Sequence, residues 1–274
     1  MKPRAKPAPR RREALPDRRE PPPRRPGSGS EQSYGLRAVL ALCRARPQDV
    51  IELAFTRDAA LALESLLARL RQCGATIRFE KEHEITRMAG TAKHEGVCVV
   101  ARPRRWHNPS ELAQLLLEKR GTALGLDRIR NPQNIGAILR SAAFFSLDAI
   151  LVGAPAPHPG LDPMAIRIAE GGAEQLALTR TTDLADTLSR LRQRGVRVVG
   201  TDARAEVSVF GYAFPRPLVL VVGHEREGLG ARVRAQCDAL LRIPGSGALD
   251  SLNVGVAAGV LMAELGRAGP ARAV

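Results

Sequence analysis

The sequence predicts an α/β protein whose larger, parallel-sheet domain is preceded by a small α/β sandwich domain. Three observations carry this. From residue 34 onward, short apolar runs alternate with amphipathic stretches of helical period. In the second half the runs are apolar throughout, as in LVLVV at 218–222, which marks parallel strands buried on both faces. Between the halves, PRRWHNP at 103–109 is a basic, proline-bounded break. The boundaries are a tail at 1–32, a small domain at 33–102, a linker at 103–121 and the larger domain at 122–268.

The tail holds eight of the chain's 20 prolines and few large apolar residues. Such a segment buries too little surface to offset its ordering entropy, so it is expected to be disordered. Residues 34–44 have helical spacing (Leu36, Val39, Leu40, Cys43) and stop before Pro47. A strand is expected at 50–55, and an amphipathic helix at 59–72 carries Leu61, Leu63, Leu66, Leu67 and Leu70 before Gly74 ends it. A strand at 76–79, a short helix at 82–89 and a strand at 97–101 complete the small domain, and a charged helix follows at 110–119. The larger domain reads strand 123–126, helix 134–145, strand 149–152, a Pro/Gly-rich loop at 155–160, helix 163–170 and strand 176–179. Helix 184–192 follows, then strands at 196–201, 218–222 and 240–243. The last helix, 254–265, is apolar nearly all round and rich in small residues, as expected of a tightly packed or dimer-facing helix.

Formal net charge is +14 over 274 residues, which favours a polyanionic partner, most simply nucleic acid. Residues 1–30 alone carry ten Lys/Arg against three Asp/Glu. A tail of that kind adds phosphate contacts to an RNA, is merely solvated, or is an organelle-targeting peptide, the last opposed by prolines that break an amphipathic helix. Cys43, Cys73, Cys98 and Cys237 form no C-x-x-C pair, so reduced, mostly buried thiols in a cytoplasmic protein are expected. The apolar run at 251–263 is shorter than the ~20 residues a membrane span needs, and the N-terminal region lacks the apolar stretch of a secretory signal. The chain has no P-loop, no H-E-x-x-H and no G-x-G-x-x-G after the first strand of the larger domain. A metal-free site built from loops at strand ends is the expectation.

Three loops are chemically loaded. Asn131-Pro132-Gln133-Asn134 opens a helix carrying Arg140, a set of amides and a guanidinium suited either to a phosphate and ribose or to plain capping. GHEREGLG at 223–230 puts three charged residues and three glycines directly after the most apolar strand. Its glycines leave room for a flat ligand beside exposed backbone. The turn at 245–253 combines Gly245 and Gly247 with Ser251-Leu252-Asn253, Ser251 being suited to cap the final helix. In the smaller domain, Lys93 and His94 lie in the loop before the last strand, where His94 either touches RNA or serves the turn. Trp106, in the linker, either stacks on a base or packs the linker down.

The segments DRIRNPQNIGAILRSA, VVGHEREGLG and IPGSGALDSLNV, in this order and spacing, resemble the three motifs of the SpoU (TrmH-type) RNA ribose 2′-O-methyltransferases of the SPOUT class. Residues 34–101, with the Lys93-His94-Glu95-Gly96-Val97 turn, resemble the substrate-binding domain often fused ahead of that catalytic domain. The resemblance implies a C-terminal trefoil knot, a homodimer burying the first and last helices of the larger domain, and S-adenosylmethionine as cofactor. It implies Thr201, Gly223, Gly228, Ile243 and Leu252 at the cofactor, and Asn134, Arg140, Glu225, Ser251 and Asn253 in catalysis. Lys93, His94, Arg104 and Arg105 are the candidate RNA contacts, and no metal ligand is expected. A guanidinium stays charged at neutral pH, so Arg140 is expected to stabilise the developing oxyanion and clamp phosphate rather than act as base, with Glu225 orienting it by a charged pair. Gly255 stands where the family usually has serine. The implied activity is methyl transfer to a ribose 2′-OH of ribosomal or transfer RNA. The alternatives are an RNA-binding protein that lost catalysis and an RNA base methyltransferase of the same fold.

Overall fold

The computed structural model describes residues 29–153 and 161–267. Most of the predicted tail and the Pro/Gly-rich loop at 155–160 therefore lie outside the described residues.

The described residues begin with strand β1 (Glu31–Tyr34), helix α1 (Leu36–Ala45), strand β2 (Val50–Phe55) and helix α2 (Arg57–Gln72). Strand β3 (Thr76–Phe79), helix α3 (Glu82–Ala89) and strand β4 (Val97–Ala101) follow. The sheet order is β1-β4-β2-β3, with β2 and β3 parallel and the other pairs antiparallel. Alternation along β4 sorts the layers. Val97, Val99 and Ala101 join the core with α1 and α2, whereas Cys98 faces Ile85 of α3. Glu31 and Gln32 were expected in the tail. They are instead the first half of β1, paired with Ala101 and Val100. Their polar side chains give no strand signal; the partner strand supplies it.

Helix α4 (Pro109–Lys119) crosses to the larger domain and starts with a capping box in which Asn108 and Glu111 satisfy each other's backbone N–H groups. Then come strand β5 (Thr122–Asp127), helix α5 (Pro132–Phe144), strand β6 (Ala149–Gly153), helix α6 (Pro163–Ile168) and strand β7 (Ala177–Thr181). Helix α7 (Leu184–Gln193), strand β8 (Arg197–Thr201) and the two-residue strand β9 (Val207–Ser208) lead to β10 (Leu218–Val222). The last described elements are helix α8 (Ala231–Arg234), strand β11 (Ala239–Arg242) and helix α9 (Val254–Arg267). Strand β9 and helix α8 are too short to register as periodic patterns.

All seven strands of this sheet run parallel, in the order β7-β6-β5-β10-β8-β11-β9. Leu218, Leu220 and Val222 of β10 face α5 and α9, and Val219 and Val221 face α4, α7 and α8. Both faces are covered, which is why the central strand β10 carries no polar position. No helix among the described residues is long and apolar enough to cross a membrane.

The two sheets meet through a buried charge cluster. Arg46, at the end of α1, pairs with Glu174 at 2.9 Å and with Glu31. Arg104 of the linker pairs with Glu31 at 3.2 Å and with Glu174 at 3.1 Å, and donates to the Ala173 carbonyl at 3.4 Å. Trp106 packs against the core of the larger domain with Arg180 over its ring at 5.5 Å, so it is a packing residue here. Among the cysteines, Cys43 and Cys98 are buried, Cys237 is half-buried and Cys73 is exposed. Burial pushes the Cys43 thiol up to about 12 and the Cys98 thiol to about 11.

Candidate active site

In a parallel sheet every carboxyl end points to one edge, and ligands bind there. The loops after β5, β8, β10 and β11 thus share an edge, and they contain the loaded segments of the sequence.

Asn131 caps α5, its side chain accepting from the Gln133 N–H at 2.9 Å, with Pro132 at the first helical position. This sets Asn134 in the first turn, buried and aimed at the neighbouring loops. Its amide donates to Glu225 Oε1 at 2.5 Å, and its carbonyl oxygen accepts from Asn253 Nδ2 at 3.0 Å. Asn253 is in turn the N-cap of α9. Its Oδ1 accepts from the Gly255 N–H at 2.8 Å and from Val256 at 3.3 Å. One side-chain amide from each of two loops and one carboxylate from the third therefore form a continuous chain, Glu225–Asn134–Asn253, across three segments remote in sequence. It fixes both amide orientations, since each oxygen and nitrogen has an assigned role.

The loop after β10 is folded tightly on itself. His224 and Gly228 exchange backbone hydrogen bonds at 3.0 and 2.8 Å, and Gly228 has φ +66°. A Cβ on Gly223 would lie 2.3 Å from the Gly228 carbonyl carbon, so only glycine lets the loop close. Two residues that sequence reasoning missed hold this loop to β5. Asp127 accepts from the Gly230 N–H at 2.7 Å, and Arg128 donates to the Gly228 carbonyl at 3.0 Å and pairs with Glu227. The available signal was a carboxylate ending an otherwise apolar buried strand.

Thr201 ends β8 and donates to the Val221 carbonyl at 3.2 Å. Ile243 is half-buried just past β11, and residues 244–253 are exposed. Ser251 lies in that exposed stretch; the cap of α9 is Asn253, not Ser251 as expected from residue type. A Cβ at Gly255 would meet Asn253 Oδ1 at 3.1 Å, so glycine relaxes the contact between the cap and α5. Backbone beside Gly245 and Gly247 is open, with nothing within 4 Å of an added Cβ, and Leu249 and Leu252 are exposed next to it. Open amide-bearing backbone between apolar side chains suits a flat heterocycle, so these residues fit an adenosyl group.

Three expectations need correction. Arg140 does not pair with Glu225. Six residues beyond Asn134, it leaves α5 about 240° further round, and its ion pair is with Glu170 at 3.0 Å. His94 is buried rather than poised for RNA: Nε2 bonds the Thr86 hydroxyl at 2.8 Å, Nδ1 accepts from the Gly96 N–H at 3.0 Å, and burial lowers its pKa. Arg104 is also buried, committed to Glu31 and Glu174. Lys93 and Arg105 remain exposed, Arg105 in a pair with Glu111.

A doubly covered parallel sheet with an amide–carboxylate chain joining its carboxyl-edge loops defines an α/β enzyme domain, here with a fused α/β accessory domain. Residues 121–263 match the SpoU rRNA Methylase family, and residues 34–107 match the RNA 2′-O ribose methyltransferase substrate-binding family. The chain belongs to the SpoU rRNA methylase family. It is 34% identical to a protein of Photorhabdus laumondii named 23S rRNA (guanosine-2′-O-)-methyltransferase RlmB, covering 86% of this chain and 97% of that one. It is 33% identical to an uncharacterized tRNA/rRNA methyltransferase of Mycobacterium avium, over 91% of this chain and 82% of the other. Among solved structures, an AdoMet-bound rRNA methyltransferase from Sinorhizobium meliloti superposes with TM-score 0.73 at 24% identity, covering 87% of each chain. The AviRb SpoU methyltransferase of Streptomyces viridochromogenes, in complex with AdoMet, gives 0.70 at 24% identity, over 87% and 90% of the two chains.

Proposed function

We propose that the chain is an RNA (ribose-2′-O)-methyltransferase acting on a guanosine of large-subunit ribosomal RNA, with S-adenosylmethionine as methyl donor. The observation that carries this reading is the Glu225–Asn134–Asn253 chain, which joins the three motif loops at one sheet edge. The guanosine rests on the relatives named for that nucleotide, which this chain spans almost end to end.

When bound, the cofactor supplies a methyl group on a sulfonium that leaves readily. What remains for the protein is to align the 2′-oxygen with that carbon and to manage its proton. Thr201, Gly223, Gly228, Ile243 and Leu252 bind the cofactor. The Asn134 and Asn253 amides, locked by each other and by Glu225, orient the ribose. Arg140 draws the neighbouring phosphate and steadies the oxygen as it becomes nucleophilic. Ser251, exposed in the same turn, contacts ribose or the methionine end of the cofactor. Lys93 and Arg105 add phosphate contacts in the accessory domain and linker. Membership of the SpoU family supports a knotted chain, with β10 lying between β5 and β8 and β11 on the far side of β8. Exposed Phe144 on α5 and Val256 on α9 support a homodimer through these helices, and light scattering that found only monomer would count against it. The reading places the protein in the cytoplasm with the ribosome precursors.

The deciding experiment is transfer of labelled methyl from S-adenosylmethionine to ribosomal RNA taken from cells lacking the gene, followed by digestion to nucleosides. Labelled 2′-O-methylguanosine is expected. A base-methylated nucleoside would replace the reading with base methylation, and no label together with no cofactor binding would replace it with an RNA-binding role. Arg140→Ala is expected to abolish transfer and leave cofactor affinity within about twofold.

A further inference from the structure

Arg140 and the accessory domain share one carboxylate. Glu170 Oε1 pairs with Arg140 Nη1 at 3.0 Å, and Glu170 Oε2 accepts from Arg37 Nη1 of α1 at 2.7 Å. The turn that carries Glu170 is held tightly from both sides. Glu170 itself has φ 47° and Gly171 has φ +96°. A Cβ on Gly171 would lie 2.7 Å from the Ala41 Cβ of α1, and one on Gly172 would lie 2.7 Å from the Leu139 carbonyl and 3.2 Å from the Arg140 Cα. The turn is therefore wedged between α1 and the very stretch of α5 that bears Arg140. Glu174, four residues on, is locked into the buried cluster with Arg46 and Arg104. Glu170 thus has a fixed backbone, and its carboxylate reaches one arginine in each domain.

We propose that Glu170 is a positioning residue for methyl transfer: it aims the Arg140 guanidinium, and through Arg37 it makes that aim depend on the docked accessory domain. The contact uses one nitrogen of Arg140 and leaves the rest of the five-donor guanidinium to face RNA. Two arginines against one carboxylate also leave net positive charge at a half-exposed junction, where a phosphate of the bound RNA neutralises it. The proposal rests on the reading of Arg140 as part of the reaction machinery.

The test compares wild type, Glu170→Ala, Glu170→Gln, Glu170→Asp, Arg37→Ala and Arg140→Ala as full-length proteins. It uses the same ribosomal RNA and saturating S-adenosylmethionine, with cofactor affinity measured separately by calorimetry. Loss of aim is expected to lower kcat by about 100-fold in Glu170→Ala and Glu170→Gln. Cofactor affinity and melting temperature stay unchanged, and Glu170→Asp recovers part of the rate. Arg37→Ala loses less, and adding it to Glu170→Ala costs nothing more, because both act through one link. Glu170→Gln keeps the shape of the side chain and decides the matter if the alanine variant fails to fold. Wild-type kcat in Glu170→Gln with a dead Arg140→Ala would overturn the positioning role alone. An active Arg140→Ala would overturn the reading beneath it.

Discussion

Two arginine–glutamate clusters span the boundary between the accessory and catalytic domains, and they do different work. In the first, the Arg46, Arg104 and Glu174 side chains are 11%, 6% and 6% exposed, and each guanidinium meets more than one carboxylate. In the second, Arg37, Arg140 and Glu170 are 72%, 55% and 31% exposed. Removed from water, the first set depends on its own members for solvation, so losing one strands the others. The second set is solvated and screened, contributes little to folding, and stays open to a substrate phosphate. The same pair of residue types is structural in one place and available for function in the other, and depth is what separates them.

This contrast can be broken by substitution. Glu174→Ala removes the deeper of the two carboxylates shared by Arg46 and Arg104 and is expected to cost about 3–5 kcal/mol in urea unfolding; a loss below about 1 kcal/mol would show that water reaches the cluster. Next in size is an acid effect on the accessory domain. His94 is held neutral, its pKa pushed down by burial from the ordinary 6.5. Its contribution is therefore complete above pH 6.5 and is lost as pH falls toward the lowered value, because the unfolded chain takes up the proton first. Unfolding at about pH 7.5 and about pH 5.5 should show this loss in wild type and not in His94→Asn, and equal slopes would refute it. Arg37→Ala should change stability by less than about 1 kcal/mol, whatever it does to kcat. Smallest of all is the response to salt. At ~1 M, where the Debye length is ~3 Å, the stability difference between wild type and Arg37→Ala should vanish, while the Glu174→Ala difference persists.

The legible part of the site was the part written locally. The capped start of α5, the glycine-bounded loop after β10 and the turn before α9 stood out because each follows an apolar strand or opens a helix. The convergence of Asn134 with Glu225 and Asn253 was legible only through family resemblance, since no spacing places residues so far apart in contact. The partner of Arg140 was misread. Charge complementarity named Glu225, but helical geometry turns Arg140 away from Asn134, and Glu225 lies with Asn134. Glu170 gave no signal at all, being one more charged residue after a short helix.

His94 and Arg104 show the limit in the opposite direction. In sequence each is a polar residue in a loop beside other basic residues, the pattern of an RNA contact. In the fold each is buried with internal partners, Thr86 and the Gly96 amide for one and two glutamates for the other. Lys93 and Arg105, their immediate neighbours, are exposed.

The sequence by itself determined that this is a two-part α/β protein with a doubly covered parallel sheet, and which loops carry its chemistry. Those properties follow from apolar periodicity and turn chemistry, which act over a few residues. Only the tertiary structure decided that β10 inserts between β5 and β8, that Asn253 rather than Ser251 caps α9, and which carboxylate each arginine meets. These depend on what distant segments bring into the same volume, where every buried polar group must find a partner among whichever residues packing has placed beside it.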